Sequence, residues 1–428
     1  MNLYGYEQIN LKDLLITFSK ALDFIDYHIA NHHLRVTVIA DEIATELGLP
    51  QEEKQQLVIA AMLHDIGVFT LADKLRLVEY ELTNPYEHAE RGYLLIKDFE
   101  IFRNIADIIR YHHIRWNYGN GQYADGKEVP IGSHILHLAD RIEILIKREK
   151  EVLMQKDKIL SSIQNSGEKF FNPKVLKAFY SVSRRECFWF EATHLNIEQV
   201  ILDREALPIK ILSLNELYEL TKFISHIIDY RSRFTAVHSA GVSAVAGLLA
   251  QLSGFSAIEC QLIRVAGFLH DIGKLAIPVE IIEKPSKLTE PEYNVMKSHV
   301  YHSYRIIKGI KGLEGINTWA SFHHERMNGD GYPFHLKGNT LPIGAKIMAV
   351  ADVFTAVSED RPYRKGMDMD KALLTVESMV QSGNLDGDIV LTTKNYFDHL
   401  NDIRIYTQEK TLREYLTTKY VDEIKQND

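Results

Sequence analysis

The sequence predicts an all-α protein built of two tandem helical domains that arose by internal duplication. Three observations carry that reading. Apolar residues recur at helical spacing: within 214–230, Leu214, Leu217, Tyr218, Phe223, Ile224, Ile227 and Ile228 fall on one broad stripe. Helix-start signals recur as well: Ser213 with Glu216, Ser256 with Glu259, and Thr289 with Glu292 each read as a capping box opening an apolar-periodic run. Finally, one ordered set of histidines and aspartates occurs twice.

From the N-terminus, LKDLLITFSKALDFIDY (11–27) matches LNELYELTKFISHIIDY (214–230) at an offset of 203. His32 then matches His238, and His64-Asp65 matches His270-Asp271, both at 206. Pro50, followed by Gln51, Glu52 and Glu53, opens the helix between them. His88 pairs with His299 and His112-His113 with His323-His324 at 211, and Asp140 pairs with Asp352 at 212. Ser166-Gly167 resembles Ser382-Gly383. Offsets that grow only between motifs mean a duplicated domain, because solenoid units are far shorter. Alternating strand patterns are scarce except near 186–212, ECFWFEATHLNIEQVILDREALPIKIL, which reads as a short hairpin or an irregular connection. The expected division is therefore 1–190, a linker at 191–212, and 213–428.

Composition bounds the function. The chain has 428 residues, too many for one ordinary domain, and 46% hydrophobic with 25% charged residues is ordinary globular content. A net charge of −9 provides no global field for a polyanion, so no nucleic acid polymer is expected as partner. Two cysteines, Cys187 and Cys260, fit a reducing cytoplasm. The start MNLYGYEQIN lacks the basic and apolar blocks of a signal peptide. The most apolar window, Ala236 to Leu252, is too short and too punctuated for a membrane span and reads as a buried helix. The expected setting is cytoplasmic, away from the membrane, with a homodimer or a signalling-protein partner left open.

The second set of ligand-type residues carries the chemistry. His238, His270, Asp271, His299, His323, His324 and Asp352 are five imidazoles and two carboxylates without a cysteine. Such a set suits borderline metals, with iron or manganese expected first and zinc or nickel as alternatives. Seven ligands exceed one tetrahedral site. Two divalent metal ions bridged by Asp271 would use them all, activating a hydroxide and clamping a phosphoryl oxygen. Lys274, three residues after Asp271, lies close enough to meet a bound anion.

His270-Asp271 together with HHERMNGDGYP (323–333) resembles the HD-GYP family of cyclic-dinucleotide phosphodiesterases, over roughly 213 to 397. The resemblance implies tandem HD-type domains and gives the seven residues above as metal ligands, one for one. It makes Lys274 the lysine that grips substrate, places phosphate-binding basic residues at Arg361 and Arg364 in DRPYRK, and sets Tyr332 in a glycine-rich loop beside the substrate. It implies hydrolysis of a cyclic dinucleotide to the linear 5′-phosphorylated form, with Asp271 and Lys274 in the catalytic machinery. Cyclic di-GMP is the default substrate by family frequency and 3′3′-cGAMP, hydrolysed by tandem members of the family, stands close behind. Two departures matter: Phe234 stands where three-metal members carry an acid, so two metals are expected, and Thr355 stands where the family often has Asp. Tyr363 reads either as a neighbour of a base or as core.

The first copy retains His32, His64, Asp65, His88, His112, His113 and Asp140, a tentative second metal set. It has Val68 where the second copy has Lys274 and Ile114 where it has Glu325, and RIEILIKREKE replaces the RPYR segment. Without cations to offset phosphate charge, this half is expected to regulate or pack rather than to catalyse. The length leaves no room for a separate receiver, PAS or GGDEF segment, so input is expected through this half or a partner. Two other functions remain open: another HD-type nucleotide phosphohydrolase, and a non-catalytic metal- or nucleotide-binding signalling protein.

Overall fold

The computed structural model describes residues 8–25, 31–68, 86–204, 207–230, 237–359 and 365–424. Helices dominate, as the 3.6-residue periodicity dictates. Contacts divide the chain into two compact units: Phe18–Lys210, and Met1–Thr17 together with Ile211–Asp428. The division falls inside the first helix, α1 (Leu11–Leu22).

The unit Phe18–Lys210 contains α2 (His32–Glu46), α3 (Gln51–Leu63), α4 (Tyr86–Ile96), α5 (Arg103–Arg110), α6 (Ile131–Leu145), α7 (Lys156–Phe170), α8 (Pro173–Val182), α9 (Glu186–Ala192) and α10 (Ile197–Leu202). Pro50 does precede α3 with extended backbone, and Asn172 caps α8 by accepting a hydrogen bond from the Lys174 amide. Helix α2 is the hub, packing on α3, α6, α8, α9 and α10.

The hairpin or irregular connection expected at 186–212 is corrected by α9 and α10, both of which pack on α2. Trp189 is fully buried and donates its indole N–H to the Ser183 carbonyl at 2.9 Å. Arg204 donates to Asp41 at 2.6 Å and Glu42 at 2.9 Å in α2, and also to Glu191. Aromatic burial and this ion cluster tie the stretch expected as a linker to the N-terminal helices. Strand pairing occurs instead at Tyr123–Ala124 (β1) with Lys127–Glu128 (β2). Asp125 and Gly126 turn it with φ of 51° and 76°, a chain reversal that an Asp-Gly pair favours.

The other unit contains α11 (Leu214–Tyr230), α12 (His238–Leu252), α13 (Ala257–Leu269), the short α14 (Val279–Ile282), α15 (Glu290–Lys308), α16 (Glu314–Ser321), α17 (Ile343–Ser358), α18 (Met369–Gln381), α19 (Gly387–Asn395) and α20 (Phe397–Ile424). The three capping boxes form as the sequence predicts. Helix α12 is almost wholly buried and packs on α13, α17 and α20. Its small residues make this closeness feasible: a Cβ on Gly267 of α13 would stand 2.6 Å from the Ser243 Cα of α12. The close approach brings the start of α12 and the end of α13, which carry His238 and His270, to one place. No helix among the described residues is long and apolar enough to cross a membrane.

Candidate metal centre

Seven side chains converge in the C-terminal unit. His238 opens α12, His270 and Asp271 follow α13, His299 lies in α15, His323 and His324 follow α16, and Asp352 lies in α17. Ligand atoms of His238, His270 and Asp352 all lie within 4.8 Å of one another, and those of His299, His323 and His324 form a second such group. Asp271 stands between the groups. Its Oδ2 is 3.1 Å from His270 Nε2 and its Oδ1 is 3.3 Å from His299 Nε2.

The tautomers follow from the local backbone. His270, His299 and His323 turn Nδ1 onto the carbonyls of Gly267, Met296 and Ala320 at 2.7, 2.6 and 2.6 Å. A carbonyl only accepts, so Nδ1 donates and the neutral ring carries its lone pair on Nε2. Those Nε2 atoms are buried, and two of them face the acceptor oxygens of Asp271. Acceptor facing acceptor requires a proton or a metal cation between them. Imidazoles held by a carbonyl at the other nitrogen are the usual preparation for metal ligation.

Charge completes the picture. Burial, then the neighbouring His270, lowers His323 to about 3, and burial with His323 takes His324 well below its ordinary value. Burial opposes ionisation of Asp271, but His270 and Lys274 outweigh it and hold the carboxyl well below its usual range. Neutral imidazoles and ionised carboxylates are what a divalent ion binds. His238 and His270 differ. Burial lowers His238, yet Glu359 and Asp352 prevail and raise it to about 10; burial lowers His270 too, yet Asp271 outweighs it and raises it above its ordinary value, so an ion here displaces a proton.

Lys274 donates to Asp271 Oδ2 at 2.5 Å, from a 3-10 turn (Ile272–Ala276) packed on α15. Gly273 makes that packing feasible, because a Cβ there would meet the His299 carbonyl oxygen at 2.0 Å. Tyr332 lies flat on the His324 ring, centroids 4.9 Å apart, and burial raises its phenol above the usual range. The loop carrying it hangs on Glu325, which is buried and accepts from the amides of Phe334 at 2.7 Å and Leu336 at 2.9 Å. Gly331 has no room for a side chain, since a Cβ would stand 2.4 Å from the Arg326 amide nitrogen. Phe234, Arg361, Tyr363 and Arg364 lie outside the described residues.

Sequence reasoning missed Glu359. Its carboxylate accepts from His238 Nδ1 at 3.0 and 3.1 Å, and Gln408 of α20 donates to it at 3.1 Å. In the first copy the same role falls to Glu143, which meets His32 Nδ1 at 2.7 Å. Glu143 stands three residues after Asp140, whereas Thr355 stands three after Asp352 and its buried hydroxyl has no hydrogen-bond partner among the described residues. The orienting carboxylate has thus moved one helical turn, to a position on the same face. The departure at Thr355 was the available signal, and the compensating acid lay four residues further on.

The N-terminal unit assembles its own set. His32, His64 and Asp140 form one group and His88, His112 and His113 another. Asp65 Oδ1 lies 3.5 Å from both His64 Nε2 and His88 Nε2. Val68 repeats the backbone of Lys274, its amide donating to the Asp65 carbonyl at 2.9 Å as that of Lys274 does to Asp271, but its side chain is apolar and buried.

Two HD-domain family models match, one over residues 29–145 and one over 222–389. The chain is 28% identical over 390 residues to 3′3′-cGAMP-specific phosphodiesterase 1 of Vibrio cholerae serotype O1, covering 89% of this chain and 90% of that protein. It is 43% identical over 152 residues to the cyclic di-GMP phosphodiesterase response regulator RpfG of Xanthomonas campestris pv. campestris, covering 35% of this chain and 40% of that one. Among solved structures, a cyclic GMP-AMP specific phosphodiesterase of V. cholerae, V-cGAP3, superposes with a TM-score of 0.64 at 22% identity, covering 91% of this chain and 98% of that one, a likeness of fold. With both family models matched and the His-Asp and Gly-Tyr-Pro motifs gathered on the second of them, the chain belongs to the HD-domain family as a tandem protein whose C-terminal half is of the HD-GYP type.

Proposed function

We propose that the C-terminal unit is a metal-dependent phosphodiesterase that hydrolyses a cyclic dinucleotide to its linear 5′-phosphorylated form, with 3′3′-cGAMP favoured over cyclic di-GMP. The observation that carries the activity is Asp271 set between two imidazole groups whose lone pairs converge on it. The substrate preference is supported by the relative that matches both halves end to end, a 3′3′-cGAMP-specific enzyme, whereas the cyclic di-GMP relative RpfG matches over a much shorter stretch.

His238, His270 and Asp352 would hold one divalent ion, His299, His323 and His324 a second, with Asp271 shared. Iron or manganese suits this nitrogen and oxygen set, with zinc or nickel as alternatives. When bound, such a pair supplies Lewis-acid polarisation of a phosphoryl oxygen and an ionised water at neutral pH. The chain's own residues do the rest. Lys274, now paired with Asp271, is placed to turn to a phosphate oxygen and offset the charge that builds in the transition state. The Glu325-anchored loop holds Tyr332 against His324, which fixes that ring and walls one side of the site. Addition of water at phosphorus breaks the bond to the ribose 3′ oxygen, which leaves with a proton, and the phosphate stays on the 5′ oxygen. Arg361 and Arg364 are proposed to meet the second phosphate.

The test is product analysis on the purified, metal-loaded chain with each cyclic dinucleotide and with deoxynucleoside triphosphates. His270→Ala is expected to abolish hydrolysis and lower bound metal. Lys274→Ala should retain metal while turnover falls by about a hundredfold. Hydrolysis of triphosphates with both cyclic substrates untouched would reject the proposal, and faster turnover of cyclic di-GMP would reverse the preference.

A further inference from the structure

The N-terminal unit holds one imidazole more than its copy. His33 stands where Ser239 stands, 206 residues on, and each is anchored by an aspartate that is also 206 apart, Asp23 and Asp229. Ser239 donates its hydroxyl to Asp229 at 3.0 Å, and its reach ends there. His33 donates Nδ1–H to Asp23 at 2.5 Å, but its ring carries a second nitrogen. Ligand atoms of His33, His64 and Asp65 all lie within 4.8 Å of one another, and the His33 and His64 ring centroids are 4.9 Å apart. An aspartate behind an imidazole fixes the tautomer and strengthens the far nitrogen as a ligand.

The rest of this cluster asks for a cation. His88 Nε2 lies 3.3 Å from His112 Nε2 and 3.1 Å from His113 Nε2. His112 Nδ1 donates to the Ile109 carbonyl at 2.6 Å, which leaves a lone pair on its Nε2. His64 donates Nδ1–H to the Ala61 carbonyl at 2.8 Å, and its Nε2 is fully buried with no hydrogen-bond partner among the described residues. Val68 replaces the lysine and Ile114 replaces the carboxylate that anchors the Tyr332 loop, and among the described residues a cation beside this cluster, Arg141, is turned onto Asp140 at 2.7 Å.

We infer that the N-terminal unit is a second metal centre of a different kind, in which His33 closes the ligand shell around a first-row divalent ion and leaves a structural rather than a hydrolytic site. Structural sites have all positions filled by protein, whereas hydrolytic ones keep one for water. The added imidazole at His33 supplies the filling ligand that Ser239 cannot.

The test uses the full chain with His270→Ala and His323→Ala, dialysed against Mn(II) or Co(II). Metal is read by elemental analysis and the Co(II) shell by its visible spectrum. The chain is expected to retain metal and to lose it on addition of His64→Ala. In that background His33→Ser and His33→Gln should each speed transfer of the ion to a chelator by about tenfold or more and change the Co(II) absorption. A doubly substituted chain with wild-type circular dichroism that takes up no metal would overturn the inference. So would unchanged chelator kinetics and spectrum in both His33 variants. A second route avoids the double variant: His64→Ala in the otherwise native chain should lower metal per chain, and an unchanged content counts against the site.

Discussion

At the scale of single residues, the proposed centre rests on a carboxylate outside its seven candidate ligands. Glu359 sets the orientation of His238 because Thr355 has no oxygen that reaches it, and Gln408 steadies Glu359 in turn. Removing such an orienting partner typically costs about 10–100-fold in metal affinity. Glu359→Ala is therefore expected to weaken retention of one ion by that order, read by competition with a chelator, while Glu359→Gln, which can still accept from Nδ1, falls between. Retention equal to wild type in Glu359→Ala would make the contact incidental. The seven side chains that converge were legible as a set in the sequence because their types and spacing repeat twice. Glu359 was not, since a carboxylate's role depends on which imbalance it corrects, and that requires the helical turn to be seen.

At the scale of elements, helix ends place most of the candidate ligands, with His299 and Asp352 inside helices. Cap residues set where α13 and α15 start, and the helix lengths then carry His270 and His299 to the same level. Ser256→Ala is expected to cost about 1 kcal/mol of stability, measured by denaturant melts, from loss of its bond to the Glu259 amide. Gly273 is more demanding, as its missing Cβ lets the turn bearing Lys274 lie against α15. Gly67 does the same in the first copy, where a Cβ would stand 2.1 Å from the His88 carbonyl oxygen. Gly273→Ala should push Asp271 away from His299 and lower bound metal in the C-terminal unit before it lowers helix content. Metal content and circular dichroism on one sample check the order. Capping boxes and apolar stripes were readable in advance because they are local. The stretch 186–212 misled because Trp189, Phe188 and Ile201 read as strand-like apolar residues, whereas packing on α2 makes helices of them.

At the scale of the whole molecule, burial of histidines has a consequence in acid. His226 and His134, neither of them among the ligand sets, are both held at about 4 against an ordinary 6.5, by burial first and by Lys222 or His137 second. The unfolded chain takes up these protons before the folded one does. Stability contributed by the neutral rings is thus present above about 6.5 and is lost as pH falls toward about 4. Melting temperatures of chelated protein between pH 7 and pH 4.5 should fall, and His134→Gln with His226→Gln should flatten that fall relative to wild type. An equally steep fall in the double variant would assign acid loss to other groups.

What the sequence determined by itself was the helical class, the duplication, and the inventory of candidate ligands, because periodicity, capping and spacing are written in residue order. Only the tertiary structure decided which carboxylate serves which imidazole, and that His33 joins the first cluster where Ser239 stays apart from the second. Those outcomes rest on distances of a few ångströms between helices far apart in sequence, set by how closely small residues let the helices approach, and no local pattern encodes them.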